Sequence, residues 1–356
     1  MMRRTLPAGL RPALRQAAEA PAQQPLFIIW RTGFQRRVAS MDQMLGFEVR
    51  YLTPPFAATW LKPLGYLVQA FRTARIVLAR RPAVVWVQSP PSFLPHLLLA
   101  LRPLAGGFRV VADCHHRVFE PPWSRVPGMV RALNRCDVVL VHNEESRPQA
   151  EALGVIPAKL RVLEDPPPTL DLPDPARPPA PEANAGADAG AGPYVLTPCS
   201  FADDEPIPVL LAAARLVPEA RFLVTGSRRK AAGLGFLRDV PGNVTFTDYL
   251  PIPEFERLLG GAAAVLGLTD AEGVQLSVAN EALGAHRALV LSDTRILRAM
   301  FGAAALFAAN TPEDLAARLR EALARRPELE AASAALKARR QRDWRVAAAA
   351  ATALLD

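Results

Sequence analysis

The chain has 356 residues, half of them hydrophobic, and a formal net charge of +8. This length exceeds one ordinary domain and suits two, each with enough apolar residues for its own core. The three cysteines, Cys114, Cys136 and Cys199, form no C-x-x-C pair. Their scatter argues against a disulfide framework or a structural zinc site and predicts a reducing compartment.

The charge is unevenly distributed. Residues 1–170 contain 22 Lys and Arg against 11 Asp and Glu, whereas the remainder contains 20 against 23. A basic first half indicates an anionic partner, either nucleic acid or a membrane surface. Because no basic strip with interleaved aromatic residues is evident, we expect no nucleic acid. No apolar run reaches the ~18 residues of a membrane span, so we expect no transmembrane helix.

The first half of the chain alternates between strands and helices. Residues 1–24 lack the apolar segment of a signal peptide and are predicted to be a disordered leader. Within the predicted first domain, 25–165, we expect strands at 26–30, 47–52, 84–88, 108–112, 137–142 and 160–163. Continuously apolar strands separated by helices indicate a parallel sheet covered on both faces.

A segment rich in Pro, Ala and Gly, 166–193, is predicted to be a linker. The alternation restarts in a second domain, 194–327, with strands expected at 194–198, 220–225, 244–247, 262–268, 288–292 and 305–308. Residues 328–356 form a helical segment. The predicted fold class is therefore α/β, with two Rossmann-like domains facing across a cleft at the carboxyl ends of their strands.

The most informative motif is the loop and helix over residues 268–284. An acid–glycine loop leads into a helix that begins near Ser277, and such a loop offers free N–H groups and a positive helix dipole to a diphosphate. Glu281, one turn into the helix, would accept hydrogen bonds from ribose, and Glu272 would face the group that the diphosphate carries. The alternatives are a helix-surface carboxylate and an exposed loop acid. The loop residues expected to bind the diphosphate are Gly273, Val274 and Gln275.

The order of motifs in residues 194–307 resembles the C-terminal half of GT-B glycosyltransferases of family 4. The matching segments are 199–207, 224–226, 243–250, the two-glutamate motif and 288–293, with looser matches at 35–37, 87–91 and 112–115. The resemblance implies a nucleoside-diphosphate-sugar donor in the second domain and an acceptor in the first. It also implies retention of anomeric configuration, no cofactor, no essential metal, and a terminal helix that packs back on the first domain.

Two departures from that family pattern affect the donor site. Eight residues separate the two glutamates instead of seven, and the acidic run 203–205 replaces the usual Arg and Lys after the first strand. We therefore expect Arg228 and Lys230, which follow a strand's carboxyl end, to balance the diphosphate. A solvated basic turn is the alternative. The other residues expected at the donor are Ser200 and Gly226.

Candidate catalytic and phosphate-facing residues occur in the first half. Asp113 and His115 follow a predicted strand, where His can take a proton near neutral pH and a carboxylate can orient it. Asp-x-His is a short pattern, and the resemblance implies that His115 orients or polarises because the leaving phosphate accepts the proton. Gly33 with Arg36 and Arg37 resembles a phosphate-facing turn, although an ordinary strand-to-helix turn has the same pattern and a lone glycine is no dinucleotide fingerprint.

The helix predicted over residues 59–80 is apolar with a basic side. It could lie on an anionic membrane surface or be a core helix with a solvated face. We expect a cytoplasmic glycosyltransferase, peripheral at the inner membrane face, that uses a lipid-linked or saccharide acceptor. The alternatives are a GT-B-fold sugar-nucleotide epimerase and an inactive glycosyltransferase-like scaffold.

Overall fold

The computed structural model describes residues 24–31, 33–170, 172 and 192–355. Nearly all of the predicted leader and most of the predicted linker therefore lie outside the described residues. The chain divides into two compact units. Of the described residues, the first contains those up to Gly33, Leu45–Val162 and those from Ala351 on, and the second contains Phe34–Met44 and those between Leu163 and Ala350.

The first unit is built on a six-stranded parallel sheet with strand order β2-β1-β3-β4-β5-β6. Its strands are β1 (Leu26–Ile29), β2 (Glu48–Tyr51), β3 (Val84–Ser89), β4 (Arg109–Cys114), β5 (Val138–Val141) and β6 (Leu160–Val162). Helix α1 (Arg36–Leu45) follows β1 in the chain, and the helices that follow it are α2 (Lys62–Arg80), α3 (Leu94–Leu101), α4 (Met129–Arg135) and α5 (Ser146–Ala152). The inner strands β1, β3, β4 and β5 are mainly apolar without alternation because both faces of the sheet are covered, whereas the edge strands β2 and β6 contain charged residues.

The second unit repeats this plan with strand order β12-β11-β10-β7-β8-β9, all parallel. Its strands are β7 (Tyr194–Pro198), β8 (Arg221–Thr225), β9 (Val244–Asp248), β10 (Ala264–Gly267), β11 (Leu289–Ser292) and β12 (Ala305–Ala308). Its helices are α6 (Ile207–Leu216), α7 (Arg228–Gly233), α8 (Ile252–Gly261), α9 (Ser277–Gly284), α10 (Arg295–Phe301), α11 (Pro312–Ala324) and α12 (Arg326–Thr352).

The strand order of the second sheet reverses at β7. Strands β8 and β9 continue on one side of β7, while β10 pairs on its other side. The connections after β7 and β10 therefore leave the sheet in opposite directions. In open parallel sheets, the crevice between two such connections is where ligands bind.

Helix α1 belongs to the second unit, so the units are not the continuous ranges 25–165 and 194–327 expected from the sequence. The guanidinium of Arg37 explains the assignment, because it pairs with Asp165 at 2.6 Å and donates to the carbonyl of Leu163 at 2.9 Å. The first residues of the predicted linker also pack in this unit. Pro168 is buried and lies so close to Gly284 that a Cβ there would be 2.7 Å from its ring.

The terminal helix α12 lies in the second unit as far as Ala350, and only residues 351–356 belong to the first. The family resemblance implied a terminal helix that packs back on the first domain, and here only the end of the helix belongs to that unit. Side chains of α12 account for the difference. Lys337 donates to the carbonyl of Gly284 at 2.7 Å, and the indole N–H of Trp344 donates to the carbonyl of Glu164 at 2.9 Å.

Strand β4 ends two residues later than the sequence predicted. Asp113 and Cys114 pair in register with Leu140 and Val141 of β5 and are fully buried. Asp113 is thus the penultimate strand residue and does not lie in the following loop. The sequence prediction ended the strand at 112 because Asp113 interrupts the apolar run. The pairing with β5 nevertheless continues through Asp113 to Cys114.

Candidate functional site

A cavity of about 690 Å³ lies in the second unit, at the carboxyl ends of β7, β8 and β10. This is the crevice that the reversal of strand order predicts. The end of β7 and the connection after it contribute six residues, and the end of β8 contributes Thr225 and Gly226. The connection after β10 and the start of α9 contribute Leu268, residues 274–278 and Glu281. The rest of the lining comes from the turn into α1, from the connection after β9 and from α8: Phe34, Arg36, Tyr249, Leu250, Ile252 and Phe255.

Arg36 bridges two carboxylates, of which Glu281 lines this cavity. Its Nε donates to Glu281 at 2.9 Å, and its Nη1 donates to Glu256 at 2.7 Å. All three side chains keep a small exposed fraction, 14% for Arg36, 13% for Glu281 and 12% for Glu256. Desolvation by burial raises the pKa of Glu281, and the nearby guanidinium of Arg36 opposes that rise. These three side chains, here called the Arg36 cluster, are charged groups in poorly solvated surroundings that a ligand can still reach.

Sequence reasoning found Glu281 and Arg36 but missed Glu256. Glu256 lies in α8, an amphipathic helix, on the side that is buried. A lone acid among the apolar positions of such a helix was the available signal, since a buried carboxylate needs a partner. Its partner is Arg36, which is 220 positions away in the chain.

The start of α9 forms one wall of the cavity. Val274, Gln275 and Ser277, which the sequence assigned to donor binding, all line it. Gly273 has a φ of +77° and turns the chain just before them. Leu276 occupies the N-cap position without a side-chain cap. Because a helix start without a side-chain cap leaves N–H groups and a positive dipole for another acceptor, this wall suits an anion.

Gly226 forms the wall at the end of β8. It has a φ of +134°, and a Cβ at this position would lie 2.1 Å from the carbonyl oxygen of Cys199. No L-residue with a side chain fits there. The absence of a side chain brings the backbone directly to the cavity.

The acidic run after β7 has a structural role. Glu205 accepts hydrogen bonds from the N–H groups of Ser200 and Phe201 and from the Ser200 hydroxyl at 2.8 Å. Asp204 accepts the hydroxyl of Thr269 at 2.6 Å. These bonds tie the connection after β7 to itself and to the connection after β10. Ser200, which the sequence assigned to donor binding, lines the cavity.

Arg228 and Lys230 do not line the cavity. Arg228 donates to the carbonyl of Phe246 at 3.0 Å, and Lys230 donates to the carbonyl of Ser200 at 3.0 Å. Both therefore support the backbone around the crevice. Within the described ranges, the basic side chain that lines the cavity is Arg36.

Glu272 is exposed and lies outside the cavity lining. Its carboxylate accepts the backbone N–H of Arg295 at 3.2 Å, at the first residue of α10. A carboxylate at a helix N-terminus satisfies an otherwise unpaired donor and interacts favourably with the dipole. The second acid of the motif therefore faces a helix end, whereas the sequence placed it toward the sugar.

Asp113 and His142 form a buried pair in the first unit. The two side chains approach to 3.1 Å between Oδ1 of Asp113 and Nε2 of His142. The sequence had placed His115 beside this carboxylate, but the ring of His115 lies against His116 and His142, at 4.2 and 5.4 Å between centroids. His142 was missed. The available signal was its position after β5, since the ends of adjacent parallel strands meet at one edge.

The remaining predicted residues do not line the cavity. Arg37 is buried and committed to Asp165, which gives it a structural role. Gly33 has a φ of +64° and belongs to the first unit. Of the predicted turn, only Arg36 reaches the cavity.

No protein-family model matches this chain, and a search of curated proteins also finds no match. Solved structures do match over nearly the whole length. HepE from Anabaena, solved with UDP and glucose, is 12% identical with a TM-score of 0.63 over 90% of this chain and 95% of its own. Sucrose-phosphate synthase from Thermosynechococcus elongatus is 16% identical, with a TM-score of 0.63 over 92% and 96%.

A protein from Listeria monocytogenes assigned as a UDP-N-acetylglucosamine 2-epimerase is 12% identical, with a TM-score of 0.58 over 88% and 91%. The fold of this chain is therefore that of these proteins, with two Rossmann-like units, which is the GT-B architecture expected from the sequence. At such low identities, the likeness establishes the fold, and function depends on the site.

Proposed function

We propose that the protein is a glycosyltransferase, which moves a sugar from a nucleoside-diphosphate donor to an acceptor. The observation that carries this proposal is the pairing of Arg36 with Glu281 inside a cavity walled by a helix start and a side-chain-free glycine. Such a cavity offers an anion-binding wall and a carboxylate within one helical turn of each other. The GT-B structures that match this chain, one of them solved with UDP and glucose, support the same conclusion.

The donor would lie along α9. Its diphosphate would accept from N–H groups at residues 274–277, and Glu281 would accept from the ribose hydroxyls. Gly226 would let the diphosphate approach the backbone at the end of β8. All of these residues line the cavity.

Arg36 makes this proposal specific. It pairs with Glu281 at 2.9 Å, so a ribose must compete with the guanidinium for that carboxylate. A diphosphate provides a stronger partner for Arg36, because arginine binds phosphate oxygens in a bidentate manner. We infer that donor binding moves Arg36 from Glu281 to the diphosphate and frees Glu281 for the ribose.

In the transfer, the bond between the anomeric carbon and the diphosphate oxygen breaks and a bond to the acceptor oxygen forms. The acceptor's proton passes to the leaving phosphate, and the anomeric configuration is retained, as in family 4 enzymes. Arg36 would stabilise the charge that develops on the departing diphosphate, without an essential metal. His115 would polarise the acceptor hydroxyl. Asp113 would have only an indirect effect on the acceptor, because its carboxylate holds His142.

Calorimetric titration with UDP, GDP and ADP tests the donor site. We expect at least one of them to bind, and Glu281→Gln to weaken its affinity about 10- to 100-fold, the loss of hydrogen bonds to a charged group. Glu313→Gln, at an exposed acid of α11, is the matched control and should leave affinity unchanged.

Arg36→Ala distinguishes the two roles of the arginine. If Arg36 binds the diphosphate, the variant binds the nucleotide about tenfold or more weakly. If Arg36 only blocks Glu281, affinity rises. Absence of binding by all three nucleotides would refute the donor site.

Product analysis separates transfer from epimerisation, the activity assigned to the Listeria neighbour. A transferase releases nucleoside diphosphate in proportion to acceptor, whereas an epimerase changes the sugar nucleotide with no second substrate. A scaffold protein would bind without either reaction. For the acceptor we propose a lipid-linked saccharide or a polysaccharide precursor at the cytoplasmic face of a membrane, because the first half is basic.

A further inference from the structure

The outer face of α2 and the turn before it carry a row of exposed apolar side chains. Trp60, Leu64, Leu67 and Phe71, here called the α2 stripe, are spaced by four, three and four residues and therefore share one side of the helix. Their exposed fractions are 78, 47, 67 and 64%. A different side of the helix is buried, and it is formed by Gly65, Gln69, Thr73 and Val77. The stripe is therefore additional apolar surface and does not contribute to the core.

Four arginines line an open pocket of about 550 Å³ beside this helix. Arg50, Arg72, Arg75 and Arg80, here called the arginine pocket, come from the end of β2 and from α2. Arg50 and Arg80 pair with Glu48, the latter at 3.1 Å. Among the described residues, Arg72 and Arg75 make no ion pair. The guanidinium groups of Arg72 and Arg75 can therefore bind an anionic ligand in this pocket.

The sequence around the stripe contains no acid. Between Glu48 and Asp113 there are eight Lys and Arg and no Asp or Glu. Two copies of this surface facing each other would bring like charges together, which disfavours self-association. An anionic bilayer offers what both features require, an apolar layer for large side chains and phosphates for arginines. Tryptophan next to basic residues is typical of side chains at a membrane interface.

We propose that the α2 stripe and the arginine pocket dock the first unit on an anionic phospholipid bilayer. The stripe enters the boundary between headgroups and acyl chains, and a headgroup phosphate occupies the pocket, where guanidinium groups bind it in a bidentate manner. The helix lies in the plane of the surface. Within the described ranges, no helix has the length and apolar character needed to cross a bilayer.

This proposal goes beyond sugar transfer and stands on different residues. The stripe and the pocket belong to the first unit, whereas the nucleotide cavity belongs to the second. Failure of vesicle binding would therefore leave nucleotide binding untouched, and the reverse also holds.

Flotation of the full-length protein with vesicles tests the proposal. We expect binding to vesicles of mixed phosphatidylglycerol and phosphatidylcholine, and little binding to phosphatidylcholine alone. Trp60→Ser with Phe71→Ser should lower the partition coefficient about tenfold or more, because two large apolar side chains no longer enter the bilayer. Arg72→Ala with Arg75→Ala should lower it on the order of 20-fold, with the loss of two charges.

Matched controls come from other exposed sites. Arg131→Ala with Arg135→Ala removes two exposed arginines of α4, and Val346→Ser removes an exposed apolar side chain of α12. Both controls should bind vesicles like the parent. Unchanged melting temperature and UDP affinity in every variant show that the fold is intact.

Three outcomes would overturn the proposal. The first is no binding to anionic vesicles, even if inorganic phosphate binds. The second is binding that either surface variant leaves within about twofold of the parent. The third is a dimer in solution that the stripe variant dissolves, with no vesicle binding by the parent.

Discussion

The two units place charged side chains at the same edge of similar sheets but expose them differently. In the second unit, Arg36, Glu281 and Glu256 keep exposed fractions of 12 to 14%, and Arg36 and Glu281 line a cavity. In the first unit, Asp113 is fully buried against His142. A partly exposed cluster can exchange its partners for a ligand, whereas a buried pair is held by its surroundings. The comparison suggests a binding role for the second unit's cluster and a positioning role for the buried pair.

The largest effect is expected from a substitution at Gly226, in the backbone wall of the second unit's cavity. Gly226→Ala places a Cβ 2.1 Å from the carbonyl oxygen of Cys199, on a residue with a φ of +134°. Since neither backbone segment can yield easily, we expect a loss of about 3 kcal/mol or more of stability, together with loss of nucleotide binding. Thermal unfolding and UDP titration measure both.

Gly233→Ala is the control for that substitution. Gly233 ends α7 without a positive φ, and a Cβ there meets nothing within 4 Å. The change should alter stability by less than about 1 kcal/mol. Equal behaviour of the two variants would mean that the close approach at Gly226 does not matter.

A smaller effect is expected from the buried pair. Asp113→Ala removes the acceptor of His142 and leaves a buried polar ring without it, so we expect a loss of about 2–4 kcal/mol of stability. Asp113→Asn keeps an oxygen at the same place and should cost less. Transfer activity should fall in both, while UDP affinity stays within about twofold. A tenfold loss of UDP affinity in Asp113→Asn would contradict the assignment of nucleotide binding to the second unit and of a positioning role to the buried pair.

The smallest effect concerns the pH dependence of Glu281. Burial raises its pKa above the ordinary 4.5, and Glu256 adds to the rise while Arg36 opposes it. Because the folded state then holds the proton to higher pH than the unfolded chain, this stabilising contribution is complete below about pH 4.5 and is lost as pH rises through the folded pKa.

Chemical denaturation of the parent and of Glu281→Gln across about pH 4 to 8 measures this contribution. The free energy of unfolding of the parent relative to the variant should decline as pH increases. A relative stability that increases with pH would show that the attraction of Arg36 outweighs desolvation. The cluster would then be a fixed ion pair, like the buried pair in the first unit.

Much of the fold could be predicted from local patterns. Apolar runs of four to six residues separated by helices indicated two parallel sheets, and the loop before Ser277 indicated a helix start that lines the site. Glycine at position 226 was also expected at the cavity. These features depend on neighbours in the chain, so a sequence pattern contains them.

Partners that are distant in the chain could not be predicted in this way. Sequence reasoning chose Arg228 and Lys230 as the cations because they follow a strand end, but their nearest acceptors are backbone carbonyls. It assigned Glu272 to the sugar, although the start of α10 offers that carboxylate an N–H group.

By itself, the sequence determined the elements, their parallel arrangement and the glutamate one turn into α9. Only the tertiary structure decided that Arg36, 245 positions away, would be the partner of that glutamate, and that Asp113 would belong to His142. The physical reason is that charge pairing operates over a few ångströms of space, regardless of separation along the chain. The order of strands in each sheet, which no local pattern contains, sets that spacing.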